Sequence, residues 1–177
     1  MEPEALKEFK GDRCWSEIPN EEYRRFLMDA PLRLEEVWKV ALEDKSWSWR
    51  CAWLIARFIQ DLREDIDRKR LELLAVVEEK ASGHQRELLR IIAGLDLDKN
   101  ELGMLYDCCL NIWTDVRTSS GTRSLAMGQM MRVAAELPEF NRELQAVSGA
   151  EFMASLSSGI RRSLEKKLRV HLQDSLL

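Results

Sequence analysis

The chain has few residues that interrupt helices: four prolines and eight glycines punctuate its 177 positions. It also lacks stretches in which Val, Ile and Thr alternate with polar residues, so no segment reads as a strand. Together these absences exclude sandwiches, barrels and doubly wound sheets, and they predict an all-α protein. No apolar run approaches the roughly 20 residues that a membrane-crossing helix needs. The opening segment, MEPEALKEFKGD, is acidic and polar rather than a secretory leader, so a cytoplasmic protein that does not engage a membrane is expected. Histidine is scarce too: His84 and His171 lie far apart, and no cysteine pair has the two- to four-residue spacing of a zinc site. Gly-x-Gly-x-x-Gly and P-loop motifs are missing. The expectation is therefore no metal, no cofactor and no catalytic residues.

What is present suits a packed helical domain. Hydrophobic residues make up 45% of the chain, enough for a sizeable core, and Leu, Ala, Glu and Arg, all good helix formers, dominate. The net charge of −4 is uneven: residues 1–45 hold 12 acids and 8 bases, residues 46–116 hold 13 and 10, and residues 117–177 hold 6 and 9. An acidic total counts against a dedicated nucleic-acid binder, whereas the basic last third keeps that class open. Cys14, Cys51, Cys108 and Cys109 sit in helical or polar contexts with no disulfide framework, which predicts reduced, buried thiols.

Turn signals divide the chain into short helices with short breaks, the pattern of antiparallel neighbours. Helices are expected over IPNEEYRRFLMDA with Asn20 as cap, DAPLRLEEVWKVALED with Asp29 as cap, the tryptophan-rich SWSWRCAWLIARF, REDIDRKRLELLAVVEEK and HQRELLRIIAGL. Further helices follow over NELGMLYDCCLNIWTD, TRSLAMGQMMRVAAEL, PEFNRELQAVS and GIRRSLEKKLRVHL, with room for one more turn between Ser148 and Gly159. The segment DLDKN matches the first ligand positions of a calcium loop. However, Glu101 stands where the turn glycine belongs and Asp107 where the bidentate glutamate belongs, so Asp98 with Glu101 reads as a capping box. Arg50, Arg86, Arg123 and Arg161 recur near helix starts at intervals of 36, 37 and 38 residues, the period of a stacked repeat. Residues 1–19 read as an N-terminal extension and residues 20–177 as a single repeat domain.

Ser46 to Phe58 carries three of the six tryptophans and is apolar nearly all round. A helix buried on three sides and wet on one is an inner helix of a solenoid, and Arg50, Arg57, Gln60 and Asp61 would mark its open strip. Thr122, Gln129, Arg132 and Glu136 repeat such a strip. The tryptophans are expected to fill the space between repeats, since large aromatics dominate core burial. The last helix has only a slim apolar stripe, Ile160, Leu164, Leu168 and Leu172, as a terminal cap should. Its basic stripe of Arg162, Lys166 and Arg169 could meet phosphate or an acidic partner.

The segments SWRCAWLIARF, TRSLAMGQMMRVAAELP and GIRRSLEKKL resemble those of small bacterial HEAT-like repeat proteins of the armadillo-type α-α superhelix, over roughly Leu32 to Leu172. The resemblance implies a right-handed superhelix of about four helical hairpins, a curved scaffold for protein or nucleic-acid partners. The function expected is a non-catalytic interaction module whose concave surface, through Arg50, Arg57, Asp61, Arg86, Arg90 and Arg132, receives an acidic peptide or protein partner. The alternative is a DNA-binding protein related to the HEAT-like alkylpurine DNA glycosylases, with Trp49 and Trp53 stacking on a base.

Overall fold

A computed structural model of the protein describes residues 4–174; of these described residues 76% are helical and none is in a strand. The helices are α1 (Glu4–Lys10), α2 (Asn20–Met28), α3 (Pro31–Leu42), α4 (Ser48–Arg57), α5 (Ile59–Asp67), α6 (Arg70–Val76), α7 (Ser82–Ile92), α8 (Lys99–Thr114), α9 (Ser120–Glu136), α10 (Asn141–Ala146), α11 (Ala150–Met153) and α12 (Ser158–Asp174). Short 3-10 turns cover Trp15–Glu17 and Pro138–Phe140. None of the helices is long and apolar enough to cross a membrane.

Four helices form one row: α4 packs on α7, α7 on α9, and α9 on α12. The elements that precede them form a second layer: α2 with α3, α5 with α6, α8, and the Pro138–Met153 segment. Each hairpin thus buries one face against its partner and its flanks against the hairpins before and after. This is how a repeat too small to own a core acquires one. The row helices begin at Ser48, Ser82, Ser120 and Ser158.

The repeat is written into the hydrogen bonds. The Ser119 amide donates to Ser82 Oγ at 3.0 Å and the Ser157 amide to Ser120 Oγ at 3.2 Å, both 37 residues apart, so the first serine of one row helix receives the lead-in of the next. In the outer layer, Trp38 Nε1 donates to Glu72 and Trp113 Nε1 to the Val147 carbonyl, each 34 residues on. Both indoles are otherwise sealed in the core. Burying such a ring removes about 150–250 Å² from water, worth roughly 4–6 kcal/mol before entropy is counted. His84, buried on α7, donates from Nε2 to the Ala41 carbonyl at the end of α3, and burial pushes its pKa below the usual value.

Several local expectations are corrected. Asn20 is the first residue of α2, with Pro19 at the cap, and Ala30 rather than Asp29 caps α3. The tryptophan helix stops at Arg57, where Phe58 breaks the ladder, so Gln60 and Asp61 belong to α5. The segment expected as one helix from Arg63 to Lys80 is broken at Arg68 and Lys69. Thr122 and Gln129 are buried rather than on an open strip, and Cys14 is exposed. Cys51, Cys108 and Cys109 are buried; burial pushes the Cys108 thiol up to about 12 and Cys109 well up too, so both stay protonated.

The Asp98–Glu101 box forms as the spacing predicts. Asp98 Oδ1 accepts from the Asn100 and Glu101 amides at 2.8 and 2.9 Å, and Glu101 Oε2 accepts from the Asp98 amide at 2.8 Å. α12 buries Leu164 and Leu168 and leaves its other faces wet, as a terminal helix should. Residues 4–18 pack onto α2 through buried Leu6, through Phe9 against Tyr23 and Phe26, and through Trp15 against Tyr23.

Candidate interaction surface

α4 keeps Arg50 and Arg57 on its open edge, beside Trp49 and Trp53. Ser48, Cys51, Ala52, Leu54 and Ile55 face the core, while Trp49 keeps 40% of its surface and Trp53 is half-buried. The tryptophans therefore divide by role: Trp38 and Trp113 fill the interior, whereas Trp49 and Trp53 lie on the open side. With Trp15 and Arg50 they line a cleft of about 320 Å³.

The walls of that cleft are braced. Trp15 stacks on Tyr23 at 5.8 Å and 3°, and Tyr23 donates its hydroxyl to the Trp15 carbonyl at 2.7 Å. Tyr23 also meets Trp53 edge-on, with ring centres 6.0 Å apart. The Arg50 guanidinium lies 4.5 Å from the centre of the Trp47 ring and 4.5 Å from that of Trp49, a double cation–π contact. Burial and that stacking hold the side chain without using its N–H donors.

The remaining expected site residues are dispersed. Arg57 is exposed on α4, 5.1 Å over the Trp53 ring, with Nη2 donating to Asn20 Oδ1 at 2.5 Å. Asp61 lies on α5 and takes two bonds of 2.9 Å from Arg24, which hold its carboxyl below the usual range. It lines a separate cleft of about 450 Å³ between the outer elements, among Glu35, Asp65, Arg68 and Lys69. That space is larger, and within it Lys69 bridges Glu35 at 2.6 Å while Asp61 is held by Arg24.

Arg86 and Arg90 are exposed on α7 and both hold the fully buried carboxylate of Glu87, at 2.9 and 3.1 Å. Arg86 also borders a cleft of about 370 Å³ whose other lining includes Asp44, Lys45 and Trp49, so Trp49 walls two adjacent spaces. Arg132 is half-buried and donates to the Ile92 and Leu95 carbonyls at 3.3 and 2.8 Å, closing the end of α7. It lines a cleft of about 700 Å³ shared with Lys166 and Lys167 of α12. Arg162 and Arg169 are exposed on the same helix. The structure thus groups Arg50 with Arg57 and Trp53, and Arg132 with Lys166, and it separates Asp61 from both.

Charge divides between the layers. The row α4, α7, α9 and α12 carries 11 Lys and Arg against 4 Asp and Glu, a balance of +7. The rest of the chain carries 16 against 27, a balance of −11. α4 has no acid at all, and the single acid of α7, Glu87, is fully buried. Trp15 and Trp47 were not anticipated, and an open Trp49 was expected only under the DNA-binding alternative. Trp15 falls in the stretch expected to be an extension, and the next tryptophan, Trp38, is 23 residues away, so nothing in its sequence surroundings marked it.

A family model described as a HEAT repeat domain matches residues 20–169. No curated protein and no solved structure matches the chain.

Proposed function

The chain belongs to the HEAT repeat domain family, and from that premise we propose that it is a non-catalytic scaffold that receives an acidic segment of a partner protein along α4, α7, α9 and α12. HEAT repeat proteins are in general interaction scaffolds. The observation that carries the finer reading is the split of +7 on the row against −11 elsewhere. A field of one sign along one face steers an oppositely charged segment to it and repels it from the other layer. Isolated surface pairs are each worth only about 0–1 kcal/mol, so the reading needs several cations acting together along the row.

The test is fluorescence anisotropy with a fluorescein-labelled Glu-rich peptide. Binding that weakens as salt rises, and that falls about tenfold or more in an Arg50→Gln, Arg57→Glu double variant with unchanged circular dichroism, is the expected result; that fold-change is about 1.4 kcal/mol. Equal binding by the variant, or tighter binding of duplex DNA than of peptide at low salt, would remove the reading. Duplex is disfavoured by the net charge of −4, and for either partner two of the row's 11 cations are spent inside the fold. Arg123 is buried against Trp113, Phe152 and Ser155, and Arg132 closes α7.

A further inference from the structure

The cleft between Trp15, Trp49 and Trp53 is apolar, open and walled by braced rings. Its volume of about 320 Å³ lies at the bottom of the range of roughly 300–1,000 Å³ typical of small-molecule sites. That is room for one bulky side chain rather than a cofactor.

Two polar groups at this cleft have no hydrogen-bond partner among the described residues. The buried Trp15 indole N–H has no acceptor among the described residues. Arg50, stacked between two rings, makes no hydrogen bond among the described residues, so its planar fork of donors remains unspent. A guanidinium fixed by aromatic faces and open at its edge suits bidentate capture of a carboxylate.

We infer that this cleft is the anchor point of the scaffold: it takes a bulky aliphatic or aromatic side chain of an extended partner segment, while Arg50 takes the carboxylate of an adjacent Asp or Glu. This rests on the proposed reading of the basic row and names what that row would recognise first. Charge complementarity sets the flanks. Arg57 lies on one side and Arg86 beyond Trp49 on the other, and α4 contributes no acid. Asp44 and Lys45 border the adjoining cleft, where Lys45 pairs with Glu43 at 2.6 Å. Trp and Arg are the side chains on which interfaces most often concentrate their affinity, and the braced rings cost little to order on binding.

The probes are N-acetylated, C-amidated nonapeptides: acidic residues around a central Leu, the same with a central Ala, and the Leu peptide with Gln in place of every acid. Blocked ends ensure that any carboxylate effect comes from side chains. The Leu peptide is expected to bind about tenfold more tightly than the Ala peptide. Trp53→Ala is expected to abolish that preference while keeping salt-dependent binding of the acidic sequence. Arg50→Gln is expected to weaken both acidic peptides and keep the preference for Leu.

Indole N–H signals of the unaltered protein give a readout that needs no variant: those of Trp15, Trp49 and Trp53 should shift with the Leu peptide while those of Trp38 and Trp113 stay. Equal affinity for the Leu and Ala peptides would overturn the anchor and leave the basic-row reading standing. Failure of every acidic peptide to bind would overturn both. An oligothymidylate that displaces the Leu peptide and shifts the same indoles would reassign the cleft to nucleic acid and overturn the proposal.

Discussion

At the scale of single residues, a shared spacing conceals unlike roles. Arg50, Arg86, Arg123 and Arg161 all fall within the first turns of the row helices, which is why their interval reads as a repeat. Yet Arg50 lies between two indoles and Arg86 grips the buried Glu87 carboxylate. Arg123 is sealed inside, with Nε on the Trp113 carbonyl at 2.7 Å, Nη1 on Ser155 Oγ at 2.6 Å and Nη2 on the Phe152 carbonyl at 2.8 Å. The period was legible because the backbone repeats; the roles were not, because they depend on what the neighbouring hairpin places beside each guanidinium. Arg123→Met should cost about 3 kcal/mol in urea unfolding, because buried acceptors lose charged donors. Arg162→Ala, at an exposed position, should stay within about 0.5 kcal/mol. Equal losses in the two variants would contradict the assignment of Arg123 as a structural pin.

At the scale of elements, the cap at Asp98 was readable, whereas those of α2 and α3 and the course of the chain past Phe58 were not. Asp98 and Glu101 form a box whose residue types and spacing are sufficient to specify it, and Arg70 Nε adds a 2.5 Å bond to Glu101. Asp98→Ala should therefore lower stability by about 1 kcal/mol through fraying of α8, with larger losses if the Arg70 contact also loosens. A change below a few tenths would mean that the box does not hold the helix start. The break at Phe58, by contrast, has no glycine or proline to announce it, and although the tryptophan helix was expected to end there, Gln60 and Asp61 were still assigned to its open strip rather than to a new helix. Tertiary contacts flank the break: Arg57 reaches Asn20 and Asp61 binds Arg24, both on α2. This is also why Asp61 leaves the strip on which its sequence position seemed to place it. The steadier sequence marker of the stack is the Ser-Gly pair at 82–83, 120–121 and 158–159, which opens three row helices and whose serines at 82 and 120 receive the next lead-in.

At the scale of the whole molecule, the fold class followed from the scarcity of helix breakers and the apolar pattern, and the match to the HEAT repeat domain over residues 20–169 agrees. The surface was less legible. Composition gives a net −4 and suggests an acidic protein, but folding gathers net positive charge on the row and leaves the rest of the chain net negative. The open tryptophans were likewise hidden, since a helical wheel shows which residues share a flank and not which flank a neighbour covers. Residues 4–18 settle that locally by bringing Trp15 against Tyr23 and beside Trp49 and Trp53. The most direct measurement is paramagnetic broadening of the protein's amide signals by a spin-labelled Glu-rich peptide around a central Leu. Broadening centred on Ser48–Arg57 and Ser82–Ile92 is predicted, and broadening confined to α3, α5, α6 and α8 would contradict the account.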